Sequence, residues 1–264
     1  MLKRWISALV LLGIVFVVTW FGDPAFSILI ALVATLAAVE FYGMRGLSRK
    51  HPLTICGLIG VLAFVVIAHI ACSYAKPTVT AVVALPLIWL LIRPPARDTA
   101  FKWAWTLTGV IYIGWMLSHF IPLRELAGGR DWVLLALFTN IATDSTAFFV
   151  GRTWGRHHLA PRISAGKTWE GSAAGFIAAI AAAVLMVTVL PALNAVPYWQ
   201  AVVLGALIGV FAQLGDLTES MFKRSAGLKD SGTLIPGHGG ILDRLDSILF
   251  TGVVTYYYVI FVVI

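Results

Sequence analysis

The chain is poor in cysteine, poor in acids and poor in charge of any kind. Its 264 residues include two cysteines, Cys56 and Cys72. Both fall in one apolar run, where a helical rise of 1.5 Å per residue holds them roughly 24 Å apart, too far for a disulfide. They read as small buried hydrophobes. Asp and Glu number 12 against 19 Lys and Arg, and the four types together make up only 12% of the chain. With 60% hydrophobic residues and a mean hydropathy of +0.92, this composition excludes an ordinary soluble domain. No low-complexity linker interrupts the sequence, and Pro94-Pro95 marks a turn rather than a domain boundary. No cleavable leader is expected, because the first apolar run is long and Gly22-Asp23-Pro24 offers no small-x-small cleavage pattern.

What is present is a succession of apolar runs, each near the roughly 20 residues that a helix needs to cross a bilayer. They predict an all-α, polytopic integral membrane protein, since open sheets leave their backbone groups unsatisfied in lipid. Helices are expected near Trp5–Phe21, Ala25–Met44, Leu53–Cys72, Thr78–Ile92, Trp103–Ile121, Trp132–Val150, Ser172–Leu190, Tyr198–Leu217 and Ser247–Ile264, about nine spans.

Cations set the orientation. With the N-terminus in the cytoplasm, the inside segments carry sixteen Lys and Arg and the outside segments carry three, Lys76, Arg124 and Arg130. That is the bias of a positive-inside topology. It turns the two polar loops, 151–171 and 218–246, toward the cytoplasm. The net charge of +7 then reflects topology and attraction for anionic lipid and nucleotide, not nucleic-acid binding.

The two halves differ in chemistry. Residues 1–130 read as transmembrane scaffold and lipid entry, residues 131–264 as the catalytic region. In the first half Glu40 lies near the cytoplasmic end of its span, where snorkelling accounts for it, and His69 and His119 read as satisfied structural histidines. The second half holds Asp144, Glu170, Asp216, Glu219, Asp230, Asp243 and Asp246 at or near cytoplasmic helix ends. Charge beside membrane-depth segments is costly and marks a functional site. Asp243 and Asp246 are spaced i, i+3, which on a helix puts both on one face with Cβ atoms about 5–6 Å apart. Carboxylates that close need a cation between them, and Mg²⁺ is commonly held by one or two carboxylates plus substrate phosphates. Gly205, Gly209, Ala212 and Asp216 form one small-residue stripe, and Gly171-x-x-x-Gly175 opens the preceding helix. The two helices are expected to pack together and bring Asp216 and Gly171 to one site. Asn140 and Asp144 are i, i+4 neighbours facing inward by cost.

The most specific signal is the run Ser220-x-Phe222-Lys223-Arg224, Lys229-Asp230-x-Gly232 and Ile235-Pro236-x-His238-Gly239-Gly240-Ile241-x-Asp243-Arg244-Leu245-Asp246. It resembles, across its whole length, the signature of the phosphatidate cytidylyltransferases, the CDP-diacylglycerol synthases. The loop Ile163-Ser-Ala-Gly-Lys-Thr-Trp-Glu-Gly171 is similar to the family too. It has Ala165 where the family often has proline, and Thr146 stands where a glycine is common. The resemblance is strong from about Asp144 onward.

The resemblance implies transfer of CMP from CTP to phosphatidic acid, forming CDP-diacylglycerol and releasing pyrophosphate. It implies Mg²⁺ or Mn²⁺, with room for a second cation, on Asp216, Asp243 and Asp246. Catalytic roles fall to those acids with Lys223, Arg224 and His238. Substrate contacts fall to Asp144, Lys167, Thr168, Glu170, Ser220, Lys229, Asp230, Gly237, Gly239, Gly240 and Arg244. Lys167 is assigned to the CTP phosphates; Trp169 suits either stacking on cytosine or anchoring at the membrane interface. The partners are CTP, phosphatidic acid and the bilayer, with no nucleic acid and a homodimer as the oligomer. The location is a bacterial cytoplasmic (inner) membrane, with the active site facing the cytoplasm. Two other readings share the charge clusters: a CTP-dependent membrane lipid kinase, and a transporter with intramembrane acids.

Overall fold

The computed structural model describes residues 2–70, 74–92, 98–232 and 239–264, with side chains from residue 12 onward. Cys72, the Pro94-Pro95 turn, Gly237 and His238 fall outside the described residues. Among the described residues the chain forms nine helices: α1 (Leu2–Phe21), α2 (Ala25–Gly43), α3 (Pro52–Ile70), α4 (Ala75–Leu91), α5 (Thr99–Glu125), α6 (Gly129–Trp154), α7 (Trp169–Val189), α8 (Tyr198–Ser225) and α9 (Asp246–Val263). Each falls where an apolar run predicts it. Seven of them, all but α1 and α4, are long and apolar enough to cross a membrane. Their outward faces carry exposed large hydrophobics such as Ile59, Phe148, Ile177 and Phe261. Apolar surface on that scale belongs against lipid, and the protein is an all-α polytopic membrane protein.

The sequence reading expected plain loops between the spans. The segment between α6 and α7 instead forms a small antiparallel hairpin, β1 (His158–Ala160) and β2 (Ser164–Thr168). The long helix α5 is not uniformly α-helical, since Val110–Trp115 is wound as a π segment.

The chain divides into two compact units, Met1–Pro122 with Asp230–Asp243, and Leu123–Lys229 with Arg244–Ile264. Sequence reasoning divided it at 130/131 and left residues 230–243 with the second half. The core of the first unit is aromatic. Phe41 and Trp105 stack with ring centroids 4.4 Å apart, and the Trp105 indole N–H donates to the Phe41 carbonyl at 3.1 Å. The Tyr42 hydroxyl donates to the Thr106 carbonyl at 3.1 Å, just ahead of the π segment. Arg45 lies over both Phe101 and Trp105, at 5.0 and 5.3 Å, a cation–π cap on the cytoplasmic end expected for α2.

The second unit is packed through small residues. A Cβ on Gly205 would fall 2.8 Å from the Ile180 Cα, and one on Gly209 would fall 3.0 Å from the Ala179 Cβ, so α8 lies nearly backbone to backbone on α7, as expected. Gly171 and Gly175 do not complete that interface. They face α6, where their Cβ positions would meet the Ala147 carbonyl oxygen at 2.6 Å and the Thr143 carbonyl oxygen at 2.9 Å. One face of α7 thus serves α8 and another serves α6. Such close approach strengthens dispersion contacts where lipid supplies no hydrophobic drive between helices.

Candidate active site

Within the second unit the polar groups gather where α6, α8, α9 and β2 meet. Lys167 on β2 extends its ammonium to Asp216 on α8, with Nζ 2.8 Å from Oδ2, and it also donates to the Gln213 carbonyl at 3.4 Å. Gln213 is fixed in turn. It accepts from the Ser172 hydroxyl and donates through Nε2 to the carbonyls of Ser172 and Gly209 at 3.1 and 2.9 Å. The hairpin lysine, α7 and α8 are thereby tied by one chain of hydrogen bonds.

On α6, Asp144 is held by two donors from different helices. Asn140 Nδ2 donates to Oδ2 at 3.1 Å, and the Ser247 hydroxyl of α9 donates to the same oxygen at 2.8 Å. Asn140 Nδ2 also reaches the Ser247 hydroxyl oxygen at 2.9 Å, and Thr251 donates to Asn140 Oδ1 at 2.8 Å. Such a network in an apolar bundle fixes the register of α6 against α9. Asp246 opens α9, and its carboxylate feels the charges of Asp216, Glu219 and Asp144. Asp144 also feels the charges of Asp216 and Lys167. The backbones of α8 and α9 meet closely here, since a Cβ on Gly215 would fall 3.1 Å from the Ser247 Cα.

The expected basic residues have distinct settings. Lys223 pairs with the buried Glu219 one turn before it. Arg224 donates to the Ile163 carbonyl of the hairpin at 3.2 Å and to the Leu228 carbonyl at 3.3 Å, fixing the hairpin to the end of α8. That end is closed by Gly227, whose φ of +73° is the left-handed geometry that stops helices. Ser220 is buried and its hydroxyl points to Asp216 at 3.4 Å. Lys229 and Arg244 are exposed. Two expected substrate residues hold the local fold. The Thr168 hydroxyl accepts from the Gly171 N–H at 3.2 Å and caps α7. Glu170 meets His157, with Oε1 2.6 Å from the ring Nδ1 and Oε2 accepting the His157 N–H at 3.3 Å.

Within the first unit, Asp243 departs from the expected geometry. It lies in the 3₁₀ turn Leu242–Arg244, whereas Asp246 starts α9, so the two are not carried by one α-helix. The reason is local. Asp243 Oδ2 accepts the backbone N–H groups of Gly240 at 2.8 Å and Ser231 at 3.1 Å, which draws the residue into the glycine-rich loop. Gly239 supports the turn with φ +83°. Asp230 is exposed. Glu40 is a second correction. It does not snorkel; it is 7% exposed, and its Oε2 accepts from the Leu242 N–H at 2.9 Å and the Ser231 hydroxyl at 3.2 Å.

The site chemistry is that of a polyanion handler: hard carboxylate oxygens suited to a divalent ion, with Lys167 on Asp216 and Lys223 on Glu219. Among the described residues the oxygens of Asp144, Asp216, Glu219 and Asp246 do not all lie within 4.8 Å of one another. The Lys167 ammonium is the cation that already rests on Asp216.

Comparison with known proteins agrees with this chemistry. The chain is 34% identical over 252 residues to a phosphatidate cytidylyltransferase of Bacillus subtilis (strain 168), covering 93% of this chain and 91% of the relative. It is 34% identical over 291 residues to one from Synechocystis, covering 98% and 96%. A Brucella abortus protein of the same description is 33% identical over 258 residues, covering 96% and 91%. Residues 2–262 match the profile of the Cytidylyltransferase family, nearly the whole length of the chain, and it is to this family that the protein belongs.

Proposed function

We propose that the protein is a phosphatidate cytidylyltransferase that makes CDP-diacylglycerol from CTP and phosphatidic acid. An anionic phosphate oxygen of phosphatidic acid attacks the α-phosphorus of CTP in line. A new P–O bond forms, the bond from the α-phosphorus to the bridging oxygen breaks, and pyrophosphate leaves with the electron pair. The nucleophile is already charged, so no general base is needed. The work is to bring two polyanions together and to hold the transferring group. The observation that carries this reading is the ion pair of Lys167 with Asp216, with Asp144 and Asp246 close enough to Asp216 to feel its charge, at the ends of apolar helices.

Asp216 and Asp246 are the residues we assign to a divalent ion, Mg²⁺ or Mn²⁺. Held by these residues, such an ion would supply positive charge to offset that of the phosphates. Lys167 is assigned to the CTP phosphates, with Lys223, Arg224, Lys229 and Arg244 as further cations on the same polar segments. Asp144 holds the inner wall of the site through Asn140 and Ser247. Asp243 orders the glycine-rich loop, whose backbone N–H groups suit phosphate oxygens. His238 and Gly237 of the same loop complete the assignment on sequence grounds.

Counting α1 and α4 with the seven longer helices gives nine spans. The sixteen-to-three distribution of cations then supports a cytoplasmic N-terminus, a cytoplasmic site and, by the bacterial relatives, the cytoplasmic membrane. The deciding experiment supplies purified protein with α-labelled CTP and phosphatidic acid. Labelled CDP-diacylglycerol and pyrophosphate in equal amounts are expected, with turnover lost on chelation and restored by Mg²⁺. Release of CDP with phosphorylation of a lipid alcohol would make the protein a kinase instead.

A further inference from the structure

The first half of the chain has no role in the chemistry as described so far, yet it carries one carboxylate in an unusual setting. Glu40 sits one turn before the end of α2 and is almost wholly buried. A carboxylate taken from water is costly unless it is bonded. Among the described residues its carboxylate accepts from the far segment 230–243: the Ser231 hydroxyl at 3.2 Å and the Leu242 N–H at 2.9 Å, both to Oε2. Its other oxygen, Oε1, has no hydrogen-bond partner among the described residues and lies against Gly232, where a Cβ would come within 2.6 Å of it. A Cβ on Gly240 would come within 2.9 Å of the Glu40 carboxyl carbon. The two glycines therefore leave room for this carboxylate, not only for a ligand. Asp243 holds the same two stretches of the loop, accepting from the Ser231 and Gly240 N–H groups.

Two carboxylates thus hold the described flanks of the glycine-rich loop, and one of them comes from a helix about 190 residues upstream. We infer that Glu40 is a positioning residue for the nucleotide-binding loop, acting through Ser231 and Leu242 and touching no substrate itself. The inference rests on the reading of the chain as a cytidylyltransferase. It gives α2 a part in CTP recognition.

The role predicts a particular pattern. Glu40→Gln keeps an oxygen that can accept from Leu242 and Ser231, whereas Glu40→Ala removes both bonds. Hydrogen–deuterium exchange on the full-length protein should show faster exchange at the Gly240 and Leu242 amides in Glu40→Ala. The kcat/KM for CTP should fall about tenfold or more, with KM for phosphatidic acid within about twofold of the parent protein. Glu40→Gln should stay within about threefold on every measure. If Glu40→Ala does not accumulate in the membrane, Ser231→Ala removes one of the two bonds and should move exchange and CTP kinetics in the same direction by a smaller factor. Unchanged loop exchange, equal losses for both substrates, or a Gln variant as damaged as the Ala variant would each overturn the inference. Absence of CDP-diacylglycerol synthesis by the unmodified protein would instead sink the functional reading, and the exchange measurement would still test whether Glu40 holds the loop.

Discussion

A lysine resting on an aspartate can serve two ends, and Lys167 shows how. Its ammonium offsets Asp216 in a place where an unpaired carboxylate would repel Asp144 and Asp246. It is also a cation carried into this cluster by the hairpin. As a compact point charge it suits a phosphate oxygen. If it contacts the triphosphate in ground and transition states alike, Lys167→Ala should raise KM for CTP more than it lowers kcat, leaving KM for phosphatidic acid little changed. Loss of one charge-assisted contact costs on the order of 1.5–3 kcal/mol, roughly ten- to a hundredfold in kcat/KM. Steady-state kinetics with each substrate varied checks this, and a defect confined to the lipid KM would reassign Lys167. Asp216→Asn and Asp246→Asn should each abolish turnover while the protein still inserts, measured by membrane yield beside activity. Retained turnover in either variant would remove that residue from the metal assignment. Residue types at fixed spacing made these groups legible in the sequence. Glu40 was not legible, because its partners are remote in sequence and only the folded chain brings them to it. Asp243 and Asp246 are not on one α-helix for a related reason: the loop's N–H groups claim Asp243, and α9 starts only at Asp246.

Among the elements, α7 is closely packed on two faces. Its glycines seat against α6 and its alanines against the glycines of α8. Gly171→Leu should therefore force backbones apart, costing about 1–3 kcal/mol or more by overpacking, and should lower the detergent-melting temperature along with activity. Thr168→Ala offers a contrast at the same helix start, since it removes a cap worth about 1 kcal/mol and adds no bulk. A Gly171→Leu protein as stable as the parent would show that the α6–α7 contact can relax. The helices themselves were plain in the sequence, because unbroken apolar runs near 20 residues have few alternatives. The hairpin was hidden by its composition. Ser164-Ala-Gly-Lys-Thr168 lacks the alternating β-branched residues that announce a strand, and Arg224 and Glu170 supply from outside what the strands lack in propensity. The π segment of α5 gave no sign either, for an extra residue in a helical turn leaves the apolar pattern nearly intact.

For the whole molecule the cation count is the controlling quantity. Reporter fusions at the two ends should place residue 1 in the cytoplasm and Ile264 on the opposite side, as nine spans require. Both ends on one side would mean that α1 or α4 does not cross. The division into units has a consequence of another kind. Residues 230–243 belong with the first unit while the chain on either side of them belongs with the second, so the protein is not modular along its sequence. A crossover near residue 122 between two relatives would part Glu40 from the Ser231 and Leu242 it was matched to. Productive recombinants should be those in which residues 230–243 travel with the N-terminal half. A segment so short would then be inherited, in effect, with a helix it never adjoins in the gene.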